Sequence, residues 1–512
     1  MSSYALLIVL AVAIPLFGIL SFAISLFTPP RDFPKNVPTV PFYYALMPLF
    51  KDVDQAQLYH EYLKKPLEQY GAVKIFFGGR WNILVRKPSY IAEIFKHEDI
   101  YAKAGNHIKI PHSLIAEYTG ENIISAHGEV WKLYTSVIKP ALQRDQDSTL
   151  FWQNSRLLRS MFLEDEKTTL TGVPVYGFFQ RYALANLSEV LYGSSFETLQ
   201  RPDSSLNELQ TMIKPRIFHP IFLNFPFLDN LNLKSRQIGR QLVRVFRNAL
   251  RNEIATSHNH VCDPDSSNLA CRLLGAYHNG TLSEKQLNDN IVITFTAGHE
   301  NPQLAFISLM YCLGQHLEEQ EKLRNEIDTL FSANSNPNFE PDYASVHDLP
   351  ILTATLYECL RLYPPISQVI NRRTTEPVTL GKNDYNRQIH IPAGAYVGYN
   401  CYSTNRDVDF WGADADEFKP SRWGTNMEDI QNLYRRANAK GTFITFHGGR
   451  RACLGQKFSM QQLRITTVEL LRGLRWRIDE SWDGRMTPAG PLYPRGLKLR
   501  FEELKVEVME NE

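Results

Sequence analysis

Phe446-His447-Gly448-Gly449-Arg450-Arg451-Ala452-Cys453-Leu454-Gly455 is the stretch on which the reading of this chain turns. It carries one cysteine, three glycines and two arginines, and residues 456–464 continue from it with an amphipathic helical pattern. Glycines let a backbone turn sharply and approach a flat object closely. Cys453 falls near the N-terminus of the helix that follows, where peptide dipoles and free N–H groups favour a thiolate. No second cysteine lies nearby, so a tetrahedral zinc site would have to draw ligands from remote segments. A single axial thiolate on a haem iron needs no further protein ligand. The competing reading is a Gly-rich turn around a structural cysteine, and the rest of the chain must decide between the two.

The chain has 512 residues, 44% of them hydrophobic, and a formal net charge of +1. No Ser/Gly-rich linker, repeat or low-complexity block divides it, so one large catalytic body is expected. The charge balance gives nucleic-acid binding no support. Cys262, Cys271, Cys312, Cys359, Cys401 and Cys453 are scattered, without a C-x-x-C pair. That usage suits a reducing compartment.

Residues 1–28 read as a transmembrane anchor. No charged side chain occurs in the first 30 residues, and Tyr4 to Phe27 is a run of 24 mostly apolar residues. A helix of that length spans a hydrocarbon core of roughly 30 Å. It is too long, and lacks the basic flank, for a cleaved signal peptide. Arg31 and Lys35 follow the run and nothing positive precedes it, which places the body on the cytosolic side. Residues 29–48, with Pro29, Pro30, Pro34, Pro38 and Pro41, form a stiff hinge, and residues 49–512 the catalytic domain. With the body cytosolic, the sequons at Asn186 and Asn279 are chance matches.

Within the body, residues 55–100 mix a helical pattern with strand-like runs at 73–77 and 83–85, a small sheet near the membrane end. Residues 101–127 are irregular, broken by glycine and proline. A helix opens at His127 and is expected to stop near Lys139, before Pro140. Residues 213–227 combine Pro215, Pro220 and Pro226 with eight apolar residues; no regular helix is expected there, and the segment either is buried or dips into a membrane interface. Ser283-Glu284-Lys285-Gln286 has the form of a capping box and opens a long apolar helix to about Cys312. Glu300 and Asn301 sit in its middle and need partners or a task. Gly298 leaves room for a ligand, and Pro302 frees its carbonyl. A second helix carries Glu358-x-x-Arg361, one turn apart.

Phe446, Gly449, Arg451, Cys453 and Gly455 fit F-x-x-G-x-R-x-C-x-G, which resembles the haem-binding loop of the cytochrome P450 family. Tyr363-Pro364-Pro365, Pro420-Ser421-Arg422-Trp423, Asn405-Arg406-Asp407 and Trp411-Gly412 also resemble its landmarks, in the expected order. The resemblance implies a mainly α, triangular body with a small β region, holding haem b (iron protoporphyrin IX) between the long central helix and the helix after the cysteine loop. It implies Cys453 as the axial iron ligand. Arg451, Phe446, Gly449, Gly455 and Gly298 would cradle the haem, with Trp131 and either Arg372 or Arg373, preferably Arg372, at its propionates. The family's arginine four residues after this tryptophan is Thr135 here. Glu358, Arg361 and Arg422 would form a structural triad, and Phe295 and Ile366 would face substrate. Residues 487–492 would turn back over the substrate side, ahead of a short strand and an acidic tail.

The implied activity is a haem-thiolate monooxygenase or oxidase, fed by NADPH through a reductase and accompanied by cytochrome b5, in the endoplasmic reticulum membrane. Arg450, Lys457, Lys132 and Lys139 would face the reductase. Glu300 and Asn301 are the candidate catalytic pair, with Asn301 standing where the family carries an alcohol that relays protons. An amide holds water but does not pass a proton as a hydroxyl does. Ala297-Gly298-His299-Glu300-Asn301 is similar to the fungal dityrosine-forming subfamily, so coupling of tyrosine-derived phenols is one expected reaction. Hydroxylation of a lipid, terpenoid or polyketide is the alternative, and a haem-binding protein without turnover is the reading from another class.

Overall fold

A computed structural model describes residues 3–257, 268–332, 339–382, 388–487 and 490–504. Ser283 opens the element that everything else packs around: its Oγ accepts from Gln286 N at 3.3 Å, and Gln286 Oε1 accepts from Ser283 N at 2.9 Å. With that capping box in place the helix Glu284–Gln315 runs 32 residues through the interior. It is apolar on most sides because it is surrounded: Val175–Asn186, Lys234–Ser257, Leu269–His278 and Pro350–Leu362 all pack on it. Phe179 stacks on Phe306 across the first of these contacts at 5.2 Å. The helix Gln456–Gly473 packs against Thr149–Thr168 and Leu317–Ser332 and closes the opposite side of the same core.

The β region is small and sits beside the N-terminus of the body. Its five-stranded sheet runs in the order Ala72–Phe77, Arg80–Val85, Tyr396–Asn400, Gln368–Thr374, Tyr101–Lys103. Arg80–Val85 pairs in parallel with Tyr396–Asn400, and the other pairs are antiparallel. The fold is thus mainly helical with a minor β part, as expected.

The helix Ser3–Phe27 contains one stretch, Leu10–Phe27, long and apolar enough to cross a membrane. Trp81 Nε1 donates to Leu26 O at 3.2 Å, and the rings of Phe27 and Phe42 meet at 4.8 Å. The proline-rich segment is docked rather than loose: Val40 N donates to Lys74 O at 2.9 Å and Lys74 N to Pro38 O at 2.8 Å, so it adds a parallel bridge beside the first strand.

Two prolines lie inside helices where a stop was expected. The helix Gly128–Leu142 continues through Pro140, because the carbonyl freed by the missing N–H, that of Ser136, accepts from Arg272 Nη2 at 3.4 Å. The helix Ser205–Ile217 holds Pro215 in its last turn, where one absent bond costs little, and Pro220 starts the short helix Pro220–Asn224 at a position that needs no donor. Phe218, Ile221 and Phe227 in this segment are exposed. Asn224 Nδ2 donates to Ala45 O at 2.9 Å, which holds the segment beside the chain leaving the apolar helix. Asn186 of the first sequon is fully buried, whereas Asn279 of the second is exposed.

At the C-terminal end, Leu492 N donates to Pro365 O and Ser367 N to Gly490 O, both at 2.9 Å, so the turn folds back onto residues 365–367. Residues 488–489 of that turn and the acidic stretch 505–512 lie outside the described residues, as does Cys262.

Candidate active site

Between the central helix and Gln456–Gly473 lies a cavity of about 300 Å³, lined among others by Trp131, Ala297, Asn301, Phe446, Arg451 and Cys453. The cysteine loop reaches it by a tight fold. Cys453 N donates to Phe446 O at 2.9 Å, closing the loop on itself. Gly449 has φ +64°, and a Cβ there would come within 2.6 Å of Phe95 O, so only glycine lets the loop press on the helix Pro88–Lys96. Gly455 caps the helix that follows. Cys453 keeps exposed surface, and that surface opens into the cavity. Burial pushes its thiol up, while the backbone N–H groups of Gly455 and Gln456 pull it back down. Among the described residues no cluster of three or more His, Cys, Asp or Glu could hold a metal, so Cys453 stands apart from any multi-residue protein site.

One corner of the cavity is strongly cationic. Arg451 is buried, donates from Nη1 to Glu98 Oε1 at 2.7 Å and from Nη2 to Ala126 O at 3.0 Å, and lies 4.6 Å over the Trp131 ring. Arg372 is 1% exposed; its Nη1 donates to Tyr101 O at 2.9 Å, and its Nε is buried without a partner. Arg373 faces the other way and donates to Gly394 O at 3.2 Å on the exposed side of the strand. His447, with φ +61°, accepts or donates at Nδ1 to Tyr399 OH at 3.0 Å. Its pKa is pushed down to about 3 by burial and then by Lys103 and Arg372.

The facing wall is the middle of the central helix. Asn301 lines the cavity, and its side-chain bond to Ala297 O is stretched to 3.5 Å. Glu300 is held elsewhere, its Oε1 2.9 Å from Lys214 Nζ on the helix Ser205–Ile217. Gly298 lines the cavity too, but its missing side chain is explained from behind: a Cβ would meet Leu187 Cδ1 at 2.6 Å. Phe295 is fully buried in the core against His299, at 4.8 Å, and Phe246, at 5.4 Å. Ile366 is on the cavity wall.

Behind the cavity, Glu358 and Arg361 are wholly buried. Arg361 Nε and Nη2 donate to the two carboxylate oxygens of Glu358 at 2.8 Å each, and Arg422 Nε adds a third bond at 2.7 Å. Trp423 Nε1 and Lys419 N complete the carboxylate's partners at 3.0 Å each. None of these groups lines the cavity.

Lys103 and Asn371 also line the cavity, and sequence reasoning missed them. Neither belongs to a motif; both become neighbours only when the strands at 101–103 and 368–374 pair. His447 lies six residues before Cys453, inside the same loop.

These features fit a flat dianionic metalloporphyrin. A lone thiol supported by two N–H donors faces a cavity lined by Lys103, Arg450 and Arg451, with Arg372 opposite Lys103 in the adjoining strand pair. The Arg372 Nε left without a partner asks for an anionic acceptor.

Comparison with known proteins agrees. Residues 38–500 match the family model described as Cytochrome P450. The chain is 43% identical over 491 residues to "Cytochrome P450-DIT2" of Saccharomyces cerevisiae, covering 95% of this chain and 97% of that protein. It is 38% identical over 480 residues to "Cytochrome P450 monooxygenase xanG" of Aspergillus fumigatus, covering 92% of this chain and 87% of that protein. A plant relative, "Cytochrome P450 734A1" of Arabidopsis thaliana, is 25% identical over 455 residues.

Proposed function

Since the chain belongs to the cytochrome P450 family, whose cofactor is haem b, we propose that this enzyme oxidatively couples tyrosine-derived phenols. The observation that carries the reading is the distal wall: an amide, Asn301, faces the cavity where a hydroxyl relay was expected, and Glu300 is tied to Lys214. Neither side chain supplies the cavity with a ready proton, so a substrate that brings its own suits the site best. A phenol does so.

Cys453 would ligate the iron, its thiolate supported by the N–H groups of Gly455 and Gln456, and Arg372, Arg451, His447 and Trp131 would hold the porphyrin. When bound, haem supplies activation of dioxygen for removal of hydrogen from substrate. Asn301 would hold a water by donating from Nδ2 and accepting at Oδ1. Ile366 and Ala297 add apolar surface to the cavity wall. Two phenols give up two hydrogens and join through a new carbon–carbon bond. Dioxygen is reduced to two waters, with the other two electrons and two protons coming from NADPH and solvent.

The electrons would arrive from an NADPH-dependent flavoprotein reductase, with cytochrome b5 as a second donor, at the face bearing Arg450, Lys457, Lys132 and Lys139. Lys132 pairs with Glu129 at 2.6 Å and Lys457 with Asp145 at 3.4 Å. Lys139 has no ion pair among the described residues and Arg450 lies 5.7 Å over the Trp131 ring, so these two are the stronger docking contacts. The helix Ser3–Phe27 would anchor the enzyme in the endoplasmic reticulum with its body in the cytosol, and Phe218, Ile221 and Phe227 would rest in the interface.

The test is incubation with reductase, NADPH and N-acylated tyrosines. A coupled dimer is expected; hydroxylated monomer without dimer rejects the coupling. The apolar wall formed by Ile123, Ile293 and Val369 favours hydroxylation of a lipophilic metabolite as the second reading. No substrate-dependent NADPH consumption with either N-acylated tyrosines or a lipophilic metabolite would leave a haem protein without turnover.

A further inference from the structure

The turn Gly78-Gly79, which joins the first two strands, covers a pair of cations, Arg80 and Lys109, that do not line the haem cavity. Lys109 is 4% exposed, yet its Nζ lies just beneath the turn: a Cβ on Gly78 would stand 3.2 Å from it. Its hydrogen bond, to Phe77 O, is a long one of 3.4 Å. Arg80 donates from Nη2 to Lys109 O, and its Nε is buried without a partner. The Arg80 guanidinium and the Lys109 ammonium approach the same Tyr396 ring, at 4.8 and 5.2 Å. Arg373 adds a third positive charge close by. Among the described residues none of the three has an ion pair. Burial, then Arg80, push the pKa of Lys109 down to about 7. Buried cations are ordinarily matched by an opposite charge, and here the protein supplies none.

The surroundings select the kind of anion. Trp81, next to Arg80, donates from Nε1 to Leu26 O at the end of the helix Ser3–Phe27. A Cβ on Gly79 would meet Pro226 Cγ at 2.5 Å, so the turn rests on the segment that exposes Phe218, Ile221 and Phe227. Ile108, adjoining Lys109, is exposed as well. The cations thus stand between the exit of the apolar helix and an exposed apolar surface, which is headgroup depth for a chain anchored by that helix. We infer that Arg80 and Lys109 form a binding site for the phosphate of an anionic phospholipid headgroup, with Arg373 at its rim. The inference rests on the reading of Ser3–Phe27 as a membrane anchor.

The test uses the full-length, haem-loaded enzyme in neutral detergent, mixed with equimolar phosphatidylserine and phosphatidylcholine. Native mass spectrometry then reads the lipid retained on the haem-loaded mass alone, so misfolded variant does not register. Retention of one phosphatidylserine in preference to phosphatidylcholine is expected. Arg80→Gln and Lys109→Met should each lower that retention roughly fivefold. Lys167→Gln, which removes an exposed charge from the helix Thr149–Thr168, should leave it within about twofold. Lys109→Met carries a second readout: exchanging an unmatched buried cation for an apolar side chain should leave the lipid-free urea midpoint unchanged or raised. The inference is overturned if Lys109→Met lowers that midpoint while phosphatidylserine is retained as before, which is what a merely structural lysine predicts. It is also overturned if Lys167→Gln sheds as much lipid as Arg80→Gln, which would mean diffuse charge attraction. Displacement of the lipid by millimolar inorganic phosphate would overturn it too, by making the ligand a free anion. Alkaline carbonate extraction reads the anchor by itself: enzyme that washes off the membrane yet holds phosphatidylserine through Arg80 and Lys109 would sink the anchor and support the site.

Discussion

Lys214 Nζ and Glu300 Oε1 meet at 2.9 Å, joining the helix Ser205–Ile217 to the middle of the central helix. The acid beside Asn301 is thus engaged with a neighbouring helix. Each partner is 26% exposed, so the pair is screened and worth at most about 1 kcal/mol. Glu300→Gln should therefore leave folding stability nearly unchanged and lower kcat by less than about threefold. Steady-state turnover with reductase decides; a fall of a hundredfold would mean that the carboxylate turns inward to deliver protons.

Glu358 is a different case, because its partners are inside. It accepts from Arg361, Arg422, Trp423 and the Lys419 backbone, and it and Arg361 are fully buried. Removing one member leaves an uncompensated interior charge, at a cost of about 3–5 kcal/mol. Glu358→Ala should accumulate little or no folded, haem-loaded enzyme. Arg422→Ala, which removes a side chain 7% exposed and leaves Arg361 in place, should fold with a lowered urea midpoint. Equal midpoints for Arg422→Ala and the unsubstituted enzyme would remove the triad's structural role.

How much of this could be read beforehand depended on how far apart in sequence the partners lie. Phe446 to Gly455 is a local fold: the Cys453 N to Phe446 O bond spans seven residues and glycine chemistry dictates it, so the decamer was legible. Glu358 and Arg361 are one turn apart, and Ser283 and Gln286 likewise. Lys103 was not legible, because its burial depends on a strand some 270 residues away, and a lone lysine in an irregular stretch carries no pattern. The destination of Glu300 needed Lys214 from another helix. Phe295 shares its helix with Asn301 but points into the aromatic cluster of Phe196 and Phe246, and composition alone does not say which face of an all-round apolar helix meets a cavity. In sequence Pro140 reads as a stop, because the carbonyl it frees finds its donor, Arg272, only in three dimensions.

His299 ties acid stability to the same helix. It is fully buried, with Nδ1 2.6 Å from Phe295 O and Nε2 unpartnered. Burial first, then Lys214, push its pKa down to about 4, against the raising effect of Glu300 and the Phe295 carbonyl. In the unfolded chain a histidine takes up its proton near pH 6.5. Between about pH 6.5 and 4 the unfolded state therefore binds one more proton than the folded state. Stability is full above that window and is lost as pH falls through it, with a slope approaching 1.4 kcal/mol per pH unit. His299→Phe should flatten the dependence by about one proton between pH 7 and 5, read from urea midpoints at each pH. An unchanged slope would mean that His299 is charged in the folded enzyme.

Asn301→Thr addresses the reaction itself. The amide now reaches Ala297 O at 3.5 Å and otherwise presents both a donor and an acceptor to the cavity. Threonine removes the amide, is smaller, and offers a hydroxyl that passes a proton along a water chain. If the enzyme couples phenols because the distal wall lacks that relay, supplying it should favour oxygen insertion. The ratio of hydroxylated monomer to coupled dimer from an N-acylated tyrosine should rise about fivefold or more, a change of ~1 kcal/mol in relative barriers. The relevant readout is the ratio, since total turnover also answers to how tightly substrate fits. Asn301→Ala, which removes the amide without adding a hydroxyl, should lower turnover while leaving the ratio within about twofold. A ratio that moves equally in both variants would trace the selectivity to cavity size and detach it from the proton path.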